Sequence, residues 1–89
     1  MSIWSECEGT VVMKQGSGFS IRKAWEGIYD ELSYSEVVMH EKDTVRTSFR
    51  VAISLDGAGA AKCIDQFMQL VTRDKMYCWS QITATIRFT

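Results

Sequence analysis

Residues 16–23 form a cluster whose residue types and spacing suit the binding of an anion. Two glycines around a serine give the backbone the freedom of a turn, and a helix is predicted to begin soon afterwards. Amide groups at a helix start lack partners within the helix, and hydroxyls and cations beside them can hold a phosphate. The candidate ligand-binding residues are Gly16, Ser17, Gly18, Ser20, Arg22 and Lys23.

The charges of this predicted helix oppose its dipole. Arg22 and Lys23 fall in the first turn, whereas Asp30 and Glu31 fall in the last turn. A bound anion or a protein partner would offset the unfavourable arrangement, which costs about 0.3 to 1 kcal/mol at each end. The segment lacks the spacing GxxxxGK of a P-loop and GxGxxG of a dinucleotide site. A third interpretation is therefore an ordinary turn whose basic side chains are solvated.

Arginine and aromatic residues recur on one side of two strand-like runs, residues 45–55 and 76–88. Protein interfaces are enriched in these residue types, and single-stranded nucleic acid also stacks on them. A partner could be a second copy, which would bring Tyr77 and Trp79 of both copies together across an isologous interface. The candidate partner-binding residues are Arg46, Arg50, Tyr77, Trp79 and Arg87.

Nucleic-acid binding is the less favoured of these two interpretations. The net charge is −1, so the chain has no overall basic excess to attract a phosphate backbone. RNA-recognition domains that share the fold predicted below carry aromatic residues on their first and third strands. The corresponding outward positions here hold Thr10, Val12, Ser48 and Arg50. The face could also be left to solvent, as antiparallel sheets allow.

The residues that usually perform catalysis or bind metals show no recognisable spacing. Cys7, Cys63 and Cys78 are widely separated and odd in number, which argues against a disulfide framework and a CxxC site. His40 is the only histidine, and no Ser-His-Asp or Cys-His order can be argued from the spacing of these residues. We therefore expect no catalytic residues, metal or cofactor, and we expect Cys63 and Cys78 to be buried.

The elements that position these residues follow from hydrophobic periodicity. Residues 45–55 and 76–88 alternate with period two, which predicts strands that each bury one face. Shorter apolar runs predict strands at 7–13 and 34–40. Outward positions of the long strands then hold the arginines and aromatics. The predicted core comprises Phe49, Val51, Ile53, Ile64, Phe67, Ile82 and Ile86.

Two helices are predicted by apolar residues at helical spacing. The first follows Ser20 as its N-cap and carries its apolar stripe from Ile21 to Leu32. Its Gly27 is expected to pack closely against another backbone. The second helix is capped near Asp56 and has its apolar stripe in residues 60–71.

The predicted order is strand, helix, strand, strand, helix, strand. This split βαβ arrangement indicates an α+β, ferredoxin-like two-layer sandwich, with a four-stranded antiparallel sheet and two helices on one face. We expect a single domain over residues 1–89, of ordinary globular composition at 46% hydrophobic and 24% charged residues.

Function is predicted only in outline. The N-terminus lacks a signal-peptide pattern and no window suits a membrane span, which predicts a cytoplasmic protein. The favoured hypothesis is a non-enzymatic protein that binds a partner or itself through its open sheet face or edge strand. From size alone, it would be a stoichiometric regulator or inhibitor of the kind mobile elements encode. The alternative is a sensor or sequestering protein for an anionic small molecule or nucleotide at residues 16–23.

Overall fold

The computed structural model describes residues 2–89 and has the ferredoxin-like βαββαβ fold. The four strands form one antiparallel sheet in the order β2-β3-β1-β4. Two helices cover one side of this sheet, and we call the other side the open face. The elements are β1 (Ile3–Lys14), α1 (Ile21–Ile28), β2 (Ser33–His40), β3 (Thr44–Ile53), α2 (Gly57–Arg73) and β4 (Tyr77–Phe88).

An aromatic cluster joins the two layers. Trp25 of α1 stacks on Phe67 of α2 with ring centroids 4.9 Å apart, and Phe49 of β3 lies 5.5 Å from Phe67. The predicted core residues Phe49, Val51, Ile53 and Phe67 are buried, as expected, and Ile64 and Ile82 are partly buried against them. The prediction for Ile86 is wrong, because its side chain is 45% exposed.

Ile86 is exposed because β4 is longer than α2, the helix that lies against it. β4 has 12 residues and spans about 40 Å, whereas the 17 residues of α2 span about 26 Å. The molecule accordingly measures 46 × 21 × 19 Å. Ile86 lies near Gly57, where α2 begins, and the strand continues beyond this point to Phe88.

β1 is also longer than the predicted strand at residues 7–13. The alternation at the start of β1 is not visible in the sequence because inward positions there hold small or polar side chains. Ser5 is buried, and its hydroxyl donates a hydrogen bond to the Leu55 carbonyl at 2.9 Å. Cys7 is buried two residues later.

A bulge at the start of β4 changes which side its first residues face. Val12 pairs with Trp79, but the next residue, Met13, pairs with Tyr77. The extra residue reverses the alternation at that point. Two predictions are therefore wrong: Tyr77 lies on the helix side, where it packs against the core, and Cys78 is exposed. Trp79 and all later residues keep the predicted sides.

Helix α1 begins as predicted and ends early. The Lys23 amide donates to Ser20 Oγ at 3.2 Å, which confirms Ser20 as the N-cap. Because the helix ends at Ile28, Asp30 and Glu31 lie beyond its last turn, and the charge reversal is confined to its N-terminus. The expectation for Gly27 is wrong, since a Cβ atom there would meet nothing within 4 Å. Among residues 2–89, neither helix is long and apolar enough to cross a membrane.

Candidate interaction surface

Apolar side chains recur across the open face near the β1–α1 end of the sheet, on β2, β1 and β4, with Arg46 of β3 among them. The strand register aligns Met39, Arg46, Val12 and Trp79 in one row that runs across all four strands. Val37 stands two residues from Met39 on the same side of β2. Val37, Met39 and Trp79 are 70%, 57% and 47% exposed. We call Val12, Val37, Met39 and Trp79 the apolar band.

Next to the apolar band, the open face forms a shallow concavity of about 470 Å³. Its middle is low because the outward side chains of adjacent strands are small there. Thr10 and Ser48 face each other across β1 and β3, with their hydroxyl oxygens 3.4 Å apart. The twist of the sheet raises the rim around them. The concavity is lined by Glu8, Gly9, Thr10, Ser35, Glu36, Val37, Ser48, Phe49, Arg50, Gln81 and Thr83.

Ion pairs occupy the far side of the concavity. The Arg50 guanidinium lies 3.1 Å from Glu6 Oε1 and 2.8 Å from Glu8 Oε1, and Arg87 lies 3.8 Å from Glu6. Glu6 and Glu8 are on β1, between the strands that carry the two arginines. Opposite charges on adjacent strands therefore neutralise one another on this part of the open face.

The third arginine of the open face also has a carboxylate partner. Arg46 Nε donates to Glu41 Oε1 at 2.9 Å. This hydrogen bond, with the positive charge of the guanidinium, lowers the pKa of Glu41 below its ordinary value. Four of the five predicted partner-binding residues, Arg46, Arg50, Trp79 and Arg87, thus share the open face, and Tyr77 is the exception.

Residues 16–23 are arranged differently from the open face. Gly16 has a φ of +90°, so the predicted turn has a position that favours glycine. The hydroxyl of Ser17 accepts from the Phe19 amide at 3.2 Å, as that of Ser20 does from Lys23. These serines therefore satisfy amides of the segment itself, which an anion would otherwise bind.

The two cations of this segment point in different directions. The Arg22 guanidinium lies over the Tyr34 ring, 5.2 Å from its centroid. Lys23 instead lines a groove between α1 and α2, with Gly27, Leu70 and Arg73. Arg22 and Lys23 thus border separate clefts rather than converging beside Gly18.

The titratable core residues are in their neutral forms. Burial, with a smaller effect of nearby Cys63, raises the pKa of the Cys7 thiol to about 11, and burial also raises that of Cys63. Burial and a hydrogen bond to Glu36 raise the pKa of Tyr34. Within residues 2–89, His, Cys, Asp and Glu side chains form no group of three that could hold a metal ion.

Sequence reasoning missed three members of the apolar band. The sequence pattern predicts only that Val12, Val37 and Met39 lie in strands, although 37–39 is an uninterrupted apolar run in a short strand. An edge strand with one side covered should alternate apolar and polar residues, so an unbroken apolar run indicates that its other side is apolar too. That signal, with the period-two alternation of the neighbouring strands, could have located the apolar band.

The comparisons with known proteins support the fold. The sequence matches no protein-family model and no curated protein. Among solved structures, the de novo designed protein Foldit4 is similar over 97% of this chain and 98% of its own, with a TM-score of 0.66 and 9% identity.

Two further solved structures have lower TM-scores. One, described as an antibiotic biosynthesis monooxygenase from Bacillus cereus, is 11% identical, covers 100% of this chain and 96% of its own, and has a TM-score of 0.44. The other, the designed protein LFR1 1 with ferredoxin fold, is 11% identical over 96% and 86% of the two chains, also at 0.44. At these identities, the similarities concern the fold alone.

Proposed function

We propose that this chain is a non-enzymatic interaction protein that binds a protein partner across its open face. The observation that carries the proposal is the apolar band, in which Val37, Met39 and Trp79 are each at least about half exposed. Val37 and Met39 are neighbours on the same side of β2, and exposed apolar side chains that adjoin one another mark interaction sites, whereas isolated ones do not. Trp, Met and Arg are also the residue types that interfaces concentrate.

The charges of the open face favour a protein over a nucleic acid. Arg46, Arg50 and Arg87 each pair with a carboxylate of the same face. A phosphate backbone would have to displace Glu6, Glu8 or Glu41 to reach these guanidinium groups, and those carboxylates would then repel it. A protein segment can instead cover the paired charges and bury the apolar band.

The concavity suggests the shape of the bound segment. A shallow concavity with small hydroxyl side chains in its middle fits a convex element such as a helix or a loop. The partner's apolar residues would contact Val37, Met39 and Trp79, while its polar groups would contact Thr10, Ser48 and their neighbours.

Acting by binding alone, the protein would be a stoichiometric regulator or inhibitor. Its three cysteines are free, which suits the reducing cytoplasm.

The alternative function, an anion sensor at residues 16–23, has weaker support because Arg22 and Lys23 border separate clefts and both nearby serine hydroxyls already accept amide hydrogen bonds.

The experiment compares three immobilised proteins in lysate from the source cells: the wild type, a Val37→Asp/Met39→Asp variant, and a Leu70→Asp control. Leu70 is an exposed apolar residue on the helix side, so the control makes a similar substitution away from the open face. Circular dichroism first establishes that all three are folded.

We expect at least one protein that the wild type and the Leu70→Asp control retain equally. The open-face variant should lose it by about tenfold or more, since an interface anchor contributes more than about 1 to 2 kcal/mol. If quantitative mass spectrometry finds the same proteins at the same levels on all three, the proposed function is wrong.

A further inference from the structure

The outer edge of the sheet at β4 is long and regular. β4 is the last strand in the order β2-β3-β1-β4 and runs from Tyr77 to Phe88. Its only irregularity is the bulge at its beginning, so Trp79 to Phe88 form an uninterrupted ladder with β1. Every second residue of such a strand directs its amide and carbonyl away from the sheet, where they are free to pair with another strand.

This edge has few of the features that usually prevent strands from pairing. Natural edge strands are short, or carry charged residues, proline or β-bulges. The bulge of β4 is confined to its first residues. β4 has 12 residues, the chain contains no proline, and Arg87 is the single charged residue of the strand. The opposite edge, β2, has eight residues, includes Glu36 and leads directly into Glu41, Lys42 and Asp43.

Exposed apolar side chains accompany the edge on the helix side. Ile86 and Phe88 are 45% and 65% exposed, and Ile3 is paired with Phe88 across the strands. All three lie at the end of the sheet where α2 begins at Gly57. They are separate from the apolar band, which occupies the open face at the other end of the sheet.

We propose that β4 pairs with β4 of a second copy of this chain, antiparallel and about a twofold axis. The proposal rests on the proposed function in that it names a protein partner, but it uses the edge and not the open face. In an antiparallel pair, residues directly opposite each other lie on the same side of the sheet. The two copies therefore form one eight-stranded sheet with all four helices on one side and two open faces on the other.

Charge and strand length limit the register of this pairing. The twofold axis must lie midway between one residue and the same residue of the other copy. If it lay level with the bond between two consecutive residues, each inward side chain would stand opposite an outward one. Pairing is most extensive when the axis lies at Thr83 or Ala84, where about nine residues of each regular strand are opposite each other. In these registers Arg87 stands opposite Trp79 or Gln81 and never opposite its own copy, so no like charges meet.

The interface would be of ordinary size for a stable dimer. About nine residues from each strand supply roughly nine main-chain hydrogen bonds, close to the number found in a typical protein–protein interface. With the axis at Ala84, Ile86 of each copy stands opposite Ile82 of the other and the two Ala84 residues face each other, since these side chains share the helix side. Their contact removes apolar surface that a single copy leaves in water.

Sedimentation velocity over a wide concentration range tests the dimer. We expect the wild type to sediment with twice the mass of one chain, and an Ala84→Lys/Phe88→Lys variant to sediment as a monomer. Both residues are exposed, so the lysines should not disturb the core. The Val37→Asp/Met39→Asp variant is the matched control and should remain a dimer, because it changes only the open face.

Cysteine trapping then locates the axis. In a Cys78→Ser background, Thr83→Cys, Ala84→Cys and Thr85→Cys are made singly and oxidised. We expect a disulfide-linked dimer from at least one of them and none from Val37→Cys on the opposite edge.

A wild type that stays monomeric at high concentration would overturn the edge dimer. So would dissociation by the open-face variant but not by the edge variant. In either case, capture of a partner that depends on Val37 and Met39 would still support the proposed function, so the two failures are distinguishable.

Discussion

The ring of Phe49 on β3 lies directly over Gly9 on β1, its partner in the strand register. A Cβ atom at position 9 would come within 2.8 Å of Phe49 Cζ, and equally close to the Gln81 carbonyl and Ile82 Cγ1. Gly9 therefore makes the space in which Phe49 reaches Trp25 and Phe67. The aromatic cluster that joins sheet and helices depends on the absence of one side chain in the central strand.

The Gly9→Ala substitution should lower the free energy of unfolding by about 1 to 3 kcal/mol, because overpacked cores must shift side chains and backbone. Gly27→Ala is the matched control. It adds the same methyl group where nothing lies within 4 Å, and should raise the free energy of unfolding by about 0.5 to 1 kcal/mol, the helix preference for alanine. Urea denaturation measures both. A Gly9→Ala variant that is as stable as the wild type, or more stable, would contradict the proposed role of Gly9.

A second prediction compares two positions of α2. Phe67 is fully buried at the centre of the aromatic cluster, whereas Leu70 is exposed. Phe67→Ala should lower the free energy of unfolding by about 3 to 5 kcal/mol, and Leu70→Ala by about 1 kcal/mol or less. Ile53→Ala, which empties a buried position on β3, should cost about 2 to 5 kcal/mol. Equal denaturation midpoints for Phe67→Ala and Leu70→Ala would contradict the observed packing.

The fold was predictable because strand and helix periods differ clearly in this sequence. The alternation through Phe49, Val51 and Ile53 fixes which side of β3 is buried, and the caps at Ser20 and Asp56 fix where both helices begin. The error at Ile86 has another origin. Periodicity tells which side of a strand a residue occupies, but not whether a helix is long enough to cover that side.

The candidate site was less predictable, for physical reasons that particular residues illustrate. A one-residue bulge moves Tyr77 to the helix side, and a bulge leaves no trace in an alternating pattern whose residues are all compatible with a strand. The apolar band depends on register, which aligns Met39 with Val12 and Trp79 from distant parts of the chain. The pairing of Arg50 with Glu6 and Glu8 depends on it too.

The three cysteines should differ sharply in reactivity. Cys78 is exposed beside the bulge, while Cys7 and Cys63 are buried with raised thiol pKa values. Because the thiolate is the reactive species, Ellman's reagent at pH 8 should modify one thiol per native chain and three after unfolding. The Cys78→Ser variant should show no rapid modification in the native state. Rapid modification of more than one thiol per chain in the native wild type would show that the reagent reaches the core.

The stability of the protein should fall at alkaline pH because of Cys7. Its pKa is raised from 9.0 to about 11 in the folded state, chiefly by burial, so the folded chain keeps a proton that the unfolded chain loses. Its contribution is complete below pH 9 and is lost as the pH rises towards 11, an effect on the order of 2 kcal/mol. A Cys7→Ala variant should therefore show a smaller decline in unfolding free energy over this range. Parallel pH profiles would contradict the prediction.

Arg22 should stabilise the fold through Tyr34 rather than through an anion. Its guanidinium lies over the Tyr34 ring, an arrangement worth about 0.5 to 1 kcal/mol at an exposed site. A double-mutant cycle with Arg22→Ala and Tyr34→Leu should give a coupling energy of this size, whereas Tyr34→Phe should preserve the coupling because it keeps the ring.

Arg22 also tests whether residues 16–23 bind an anion or form a solvated turn. At low ionic strength, where an exposed phosphate site is least screened, phosphate and nucleotides should leave the melting temperature of the wild type unchanged. This follows because Arg22 and Lys23 border separate clefts and do not converge on one anion. A melting temperature that rises with phosphate in the wild type, but not in an Arg22→Glu variant, would instead identify the segment as an anion site.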